Sequence, residues 1–193
     1  TAVQNAAQLI CVGMTEFDGL EIIAQCLKEA GCEKNWHPIK CRFGENTIKS
    51  FSEKSNPNVI LGEHDLFFID VGPVFEGYES DYGETFTVGK NETYERIKND
   101  VKSIFNETKR AWSDKGLTGA QLYIEAENLA QKFGYELNLN MDGHRLGEFP
   151  HHLRYNGSLK EVDFSPAPNL WMLEILISST DKKYGAFFED LII

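Results

Sequence analysis

Three apolar stretches of this chain each carry an acid in their interior. Asp70 stands in Leu66-Phe67-Phe68-Ile69-Asp70-Val71, Glu174 in Leu170-Trp171-Met172-Leu173-Glu174-Ile175-Leu176-Ile177, and Glu189 in Ala186-Phe187-Phe188-Glu189-Asp190-Leu191-Ile192-Ile193. Asp81 closes a Gly-Tyr-Glu-Ser-Asp segment just before Thr85-Phe86-Thr87-Val88. Short apolar runs rich in β-branched and aromatic residues read as strands, so the chain must build a sheet that accepts carboxylates. Strand side chains alternate between faces, and any one of these acids could point to solvent. For Glu189 the neighbouring Asp190 could equally be the inward one. A carboxylate that is buried must instead shift its pKa, find a partner or bind a cation. The strands hold too few Lys and Arg to pair four acids, so the pattern points to divalent cations.

The rest of the composition narrows the class. The chain has 193 residues, 41% hydrophobic and 25% charged, which suits one globular domain over 1–193. Its 30 acids against 19 bases give a net charge of −11. That balance lacks the basic footprint of a nucleic-acid binder and the Lys/Arg clusters that anionic membranes attract. No apolar run approaches the ~20 residues of a transmembrane helix, and no signal-peptide pattern is visible. Cys11, Cys26, Cys32 and Cys41 match no zinc spacing and read as free thiols of a reducing, cytoplasmic setting. The chain starts at Thr1 without Met and ends in an apolar run, so trimmed ends are expected.

The element order follows from periodicity and caps. Thr15-Glu16-Phe17-Asp18 opens a helix carrying Leu20, Ile23, Ala24, Leu27 and Ala30, closed by Gly31. Trp36 to Phe43 reads as extended and residues 44–64 as a loop. The strand at 66–71 is expected to pair with Thr85–Val88. Tyr94, Ile97, Val101, Ile104, Phe105 and Trp112 form the stripe of a long helix starting at Asn91. Thr118 and Gln121 suit a capping box for a second helix, ended by Gly134. A turn-rich stretch from Gly143 to Gly157 precedes two final strands, Leu170–Ile177 and Ala186–Ile193. Hairpin-like strands with separate helices predict an α+β domain: an antiparallel sheet with helices on one face.

An oxygen-rich site with one or two imidazoles suits manganese, cobalt, iron or zinc more than copper. Of the five histidines, His37 and His64 lie in polar or turn-like stretches and are not read as ligands. His144, His151 and His152 fall within nine residues and form a plausible site loop.

These residues together resemble the pita-bread metallohydrolases: methionine aminopeptidase, Xaa-Pro aminopeptidase and dipeptidase (prolidase), and creatinase. Phe68-Ile69-Asp70-Val71-Gly72 through Gly77-Tyr78-Glu79-Ser80-Asp81 is similar to the family's two-aspartate motif, including its eleven-residue step. Gly143-His144-Arg145-Leu146-Gly147 resembles the histidine loop, with His151 seven residues later. Met172-Leu173-Glu174 and Phe188-Glu189-Asp190 resemble the two glutamate motifs. The likeness covers roughly residues 9–193 and leans toward the Xaa-Pro branch, without that branch's N-terminal domain.

The resemblance implies a curved antiparallel sheet flanked by helices, holding two divalent ions. Asp70 would chelate one ion, Asp81 and Glu189 would bridge both, and His144 and Glu174 would complete the second. It implies hydrolysis near the N-terminus of short peptides by a metal-bound hydroxide. Glu174 would serve as proton shuttle and His151 would hydrogen-bond the substrate or tetrahedral intermediate. Manganese is the first expectation, with cobalt, zinc or iron(II) as alternatives, and a homodimer is the expected assembly. Four positions depart from the pattern. Ile175 follows Glu174 where proline is common. Phe187 stands where many Xaa-Pro peptidases carry Arg. Tyr82-Gly83-Glu84-Thr85 replaces Thr-Arg-Thr. Gly44–Phe51 offers no upstream histidine. These departures keep two alternatives open: hydrolysis of a small amide or amidino metabolite, and a non-catalytic peptide-binding module.

Overall fold

The computed structural model describes residues 1–193. Helix α1 spans Ala2–Leu9 and α2 spans Glu16–Glu29. Helix α2 begins where the caps predict. Thr15 accepts a hydrogen bond from the Asp18 N–H, and the Asp18 carboxylate accepts from the Thr15 N–H at 2.8 Å. Helix α1 is absent from the sequence reading because its eight residues bury only Val3 and Ala6, too short a stripe to show a helical period.

The stretch from Trp36 to Phe43, expected to be extended throughout, is interrupted. Strand β1 (Lys34–Asn35) ends just before it, β2 (Lys40–Phe43) forms its second half, and Trp36-His37 lies between the two strands. A 3-10 turn, Gly44–Ile48, begins the segment read as a loop. Strands β3 (Asp65–Val71), β4 (Pro73–Phe75), β5 (Tyr78–Glu79) and β6 (Tyr82–Val88) follow. Helix α3 (Glu92–Lys115) is capped by Asn91, and α4 (Gly119–Phe133) opens with the Thr118–Gln121 box. Strands β7 (Tyr135–Leu137), β8 (Met172–Ser179) and β9 (Gly185–Leu191) complete the chain.

The main sheet has six strands in the order β2-β3-β6-β9-β8-β7, with every neighbour antiparallel. A small sheet, β1-β4-β5, stands beside it. Register sorts the side chains. Asp70 pairs with Gly83, Gly83 with Glu189, and Glu189 with Glu174. Directly opposed residues share a face, so Asp70, Glu189 and Glu174 lie in one row that crosses β3, β6, β9 and β8.

The other face carries the apolar payload. Phe67, Ile69 and Val71 of β3 pack against Val3, Ala6, Ile23 and Leu27 of α1 and α2. Leu173, Ile175 and Ile177 of β8 pack against Ile97, Val101, Ile104, Leu122 and Ala126 of α3 and α4. Both helix pairs therefore cover the face opposite the acids, as the α+β reading predicts. On the acid face, a smaller cluster of Phe68, Met141, Leu176 and Phe187 fills the space beside the carboxylates. Phe187, at the position where Arg is common, is wholly buried there and tilts against Phe68. No helix is long and apolar enough to cross a membrane, and all four cysteines are free thiols.

Candidate metal centre and active site

The acidic face opens into a cavity of about 390 Å³ lined by Asp70, Asp81, His144, Glu174 and Glu189. Three of the four carboxylates arrive on strands. Asp70 comes from β3, Glu174 from β8 and Glu189 from β9, while Asp81 immediately precedes β6. All four are buried. Glu174 is fixed from the far side of the sheet. The Tyr123 hydroxyl of α4 donates to the Glu174 carbonyl at 3.1 Å and accepts from its N–H at 3.3 Å.

Imidazoles are the cations that reach this row. His144 Nε2 lies 2.9 Å from Asp81 Oδ2 and 3.5 Å from Glu174 Oε1. His37 Nε2 lies 3.3 Å from Asp81 Oδ1 and 3.5 Å from Asp70 Oδ1. This corrects the sequence reading, which left His37 out of the site. The chain enters from β1, whose Lys34 and Asn35 pair with Val74 and Pro73, and the Trp36 N–H donates to the Gly72 carbonyl at 2.9 Å. Gly72 is what admits the ring: a Cβ there would stand 2.3 Å from His37 Cδ2. The sequence signal was only this glycine directly after the aspartate strand. The stretch Gly44–Phe51 indeed supplies no histidine, but it does bring Phe51 to the cavity wall, edge-on to His37. His64 stays remote, accepting from the Lys90 N–H at 3.0 Å.

Burial and charge crowding set the proton states. Burial pushes Asp70 up to about 7, against the pull of His37 and helped by the Asp81 charge. Burial likewise raises Glu174 to about 8, opposed by His144. Glu189 is driven well above the carboxylate range by burial and by Asp81, Asp70 and Glu174. Asp81 moves the other way: hydrogen bonds from His144 and His37 outweigh its burial. Burial works against charge on His37 and His144, but hydrogen bonding to Asp81 lifts each to about 9. In effect the two imidazolium rings neutralise part of the acid row.

Protons on the raised carboxyls offset the rest, and the donor set they occupy fits a divalent cation in their place. Glu189 Oε1 is buried without a hydrogen-bond partner, an arrangement that costs about 1–3 kcal/mol or more for a charged group. His37, Asp70 and Asp81 each offer one ligand atom, all within 4.8 Å of one another. Carboxylate oxygens with imidazole nitrogen suit manganese, iron, cobalt or zinc.

The remaining histidines form the rim. His151 stacks on Trp36 with ring centroids 3.7 Å apart and planes 18° apart, and its Nδ1 lies 2.9 Å from Glu79 Oε2. Burial and the neighbouring His144 and His152 hold its pKa down to about 3, so this ring is neutral. His152 leans on His151 and points Nδ1 at the Tyr155 carbonyl. Glu79, Trp36 and Tyr123 escaped the sequence reading. Glu79 looked like an ordinary turn acid, Trp36 like part of an extended strand, and Tyr123 like one more residue of a helix.

The whole chain, residues 1–193, matches the sequence profile of metallopeptidase family M24. No curated protein matches it. Among solved structures, an X-Pro aminopeptidase from Thermotoga maritima superposes with a TM-score of 0.76 at 19% identity, over 99% of this chain and 56% of that one. A prolidase from Pyrococcus furiosus gives 0.77 at 22% identity, over 98% of this chain and 56% of that one. A methionine aminopeptidase from Thermotoga maritima gives 0.74 at 15% identity, over 98% of this chain and 86% of that one. The chain thus spans little more than half the length of the X-Pro aminopeptidase and the prolidase. The profile match over the whole chain, on the same fold as these structures, shows that the chain belongs to metallopeptidase family M24, a metal-dependent family with the pita-bread fold.

Proposed function

We propose that residues 1–193 form one catalytic domain, a dinuclear metal-dependent hydrolase that removes an N-terminal residue from short peptides, in the manner of an aminopeptidase or Xaa-Pro dipeptidase. The observation that carries this reading is the row Asp70, Glu189, Glu174 with Asp81 beside it, buried around one cavity and ending in the unpartnered Glu189 Oε1. Asp70, Asp81, His144, Glu174 and Glu189 would hold the ions. When bound, such ions supply Lewis acidity toward the scissile carbonyl and lower the pKa of water.

The chain's own residues do the rest. Glu174 lines the cavity with its Oε1 3.5 Å from His144 Nε2, a carboxylate placed to take and return a proton at the substrate. His151 stands neutral at the rim to hydrogen-bond the substrate. Trp36 and Phe51 give the cavity apolar walls that exclude water from one side of the bound peptide. Manganese remains the favoured ion, a homodimer the favoured assembly and the cytoplasm the favoured location. Metal analysis, sizing with light scattering, and imaging of the tagged protein test these in turn.

The central test is a manganese-loaded sample offered a broad panel of di- and tripeptides, with EDTA-treated protein as control. Metal-dependent release of an N-terminal residue is the expected result. Turnover of small amides or amidines with peptides untouched would replace the peptidase reading. Failure to bind any divalent ion at neutral pH would leave a peptide-binding module.

A further inference from the structure

The edge of β8 that faces away from β9 is paired by two different segments. At its start the His144 loop runs beside it: the Leu146 N–H donates to the Leu170 carbonyl at 2.9 Å and the Met172 N–H to the His144 carbonyl at 2.8 Å. Toward its end β7 takes over, pairing with Ile177–Ser179, and the Asn138 N–H donates to the Leu176 carbonyl at 2.8 Å. Glu174 falls between the two segments, in the stretch of this edge that neither one pairs. The Tyr123 hydroxyl fills that gap, meeting both the carbonyl and the N–H of Glu174. Tyr123 is itself buried, in the core cluster that holds Leu122, Leu159 and Leu173. The residue before His144 lets the loop close on the same hydroxyl: a Cβ at Gly143 would stand 2.9 Å from the Tyr123 oxygen and 2.4 Å from the Met172 carbonyl oxygen.

Buried peptide groups must be paired, and a strand edge is where they go without partners. A phenol hydroxyl donates and accepts at once, so one side-chain atom can serve both the N–H and the carbonyl of a residue. We propose that Tyr123 is a positioning residue: its hydroxyl stands in for a missing strand beside β8 and so sets the spacing between Glu174 and His144. Those two side chains approach to 3.5 Å in the cavity, one carried by β8 and the other by the loop that closes on the same hydroxyl. Tyr123 does not line the cavity and acts only through the backbone it holds. Without the hydroxyl, the peptide groups of Glu174 must find water or a new partner, and β8 shifts against the histidine loop. The consequence for metal binding rests on the reading above that Glu174 and His144 are ligands, whereas the hold on β8 does not.

Tyr123→Phe removes the hydroxyl and keeps the ring. Tyr135→Phe is the control: its hydroxyl also bonds internally, to Asp100 Oδ2 at 2.8 Å, but has no part in holding Glu174 or His144. Manganese and cobalt titrations of wild type and both variants by calorimetry give the first readout, and the visible absorption of the cobalt form gives the second. Tyr123→Phe is expected to weaken binding by about 10–100-fold, the usual loss when a group that orients a ligand is removed, and to change the cobalt spectrum. Tyr135→Phe should lower the Tm and leave affinity and spectrum as in wild type. Amide exchange supplies a readout without metal: the Glu174 N–H should be protected in metal-free wild type and lose that protection in Tyr123→Phe. Wild-type affinity and spectrum in Tyr123→Phe, with only the Tm lowered, overturn the proposal. So does a Glu174 amide that exchanges in wild type as fast as a free strand edge, and that measurement decides even if Tyr123→Phe fails to fold. If wild type binds no divalent ion, protection of Glu174 that is lost in Tyr123→Phe would sustain the hold on β8 and remove the metal reading alone.

Discussion

Glu174 and Glu189 stand directly opposite each other across the antiparallel β8–β9 pair. Like charges at a cross-strand pair are destabilising, and here both side chains are buried. Without metal the fold tolerates them by holding protons.

Replacing one of them should therefore separate stability from metal binding. Glu189→Gln keeps the shape and removes the charge. The metal-free variant is expected to be more stable than metal-free wild type near neutral pH, because an amide buries there without the proton that Glu189 must take up on folding, and it should lose the stabilisation that manganese gives the wild type. Calorimetric melts with EDTA and with manganese check both. A variant less stable than wild type in EDTA would mean that burying Glu189 costs the metal-free fold nothing.

The same crowding fixes the sign of the pH dependence. Asp70 rises to about 7 and Glu174 to about 8, so above the ordinary carboxylate pKa the folded metal-free protein keeps protons that the unfolded chain has released, and stability falls from there until the pH passes about 8. His37 and His144, raised to about 9, add stability that is complete below the ordinary histidine pKa and is lost as pH rises through about 9. Both trends run the same way. The metal-free Tm is expected to fall steadily from about pH 5 to about pH 9 and to flatten once metal replaces the protons. Titration calorimetry in two buffers of different ionisation enthalpy should show proton release on metal binding at neutral pH. Equal heats in the two buffers would contradict these proton states.

Gly83 sets the distance between β6 and the acid row. A Cβ there would stand 2.3 Å from Phe187 Cε1 and 2.8 Å from Glu189 Oε1. Gly83→Ala must push both aside and is expected to cost about 1–3 kcal/mol through overpacking. Metal affinity should fall with it, because the displaced carboxylate is one of the proposed ligands. Unchanged affinity by titration calorimetry would show that Glu189 relocates freely.

Arg42, buried in β2, braces the segment that carries Phe51. Its guanidinium donates to the Ser50 carbonyl at 2.8 Å, the Glu53 carbonyl at 2.7 Å and Ser55 Oγ at 2.7 Å. Arg42→Met fills similar volume but strands those acceptors, at about 1–3 kcal/mol for each one that stays buried and unpaired. A shift of roughly 2–4 °C in Tm accompanies each kcal/mol in a domain of this size. Faster amide exchange across residues 50–56 is the accompanying signature, and protection equal to wild type would mean the brace is redundant.

The helix caps at Thr15 and Thr118 and the strands around Asp70, Glu174 and Glu189 were legible because each signal is local. A capping box needs four consecutive residues, and a strand shows itself through its own apolar run. The histidine loop was legible because three rings fall close together in sequence. His37 and Glu79 were not. Each is a single polar residue in a short polar stretch, and its meaning comes from a partner 44 or 72 positions away, Asp81 for His37 and His151 for Glu79. Trp36 was seen only as part of an extended segment, whereas its ring organises His37, His144 and His151 around itself.

The sequence by itself determined that acids would lie inside strands and that too few bases would accompany them there. Only the tertiary structure decided which acids meet. Alternation along a strand is a property of one segment, but a shared face depends on register, and a slip of one residue would turn Asp70 or Glu189 toward the helices. Register is set by non-local contacts: Phe67 and Ile69 against α1 and α2, Leu173 and Ile175 against α3 and α4. Burying those side chains on one face commits Asp70, Glu174 and Glu189 to the other.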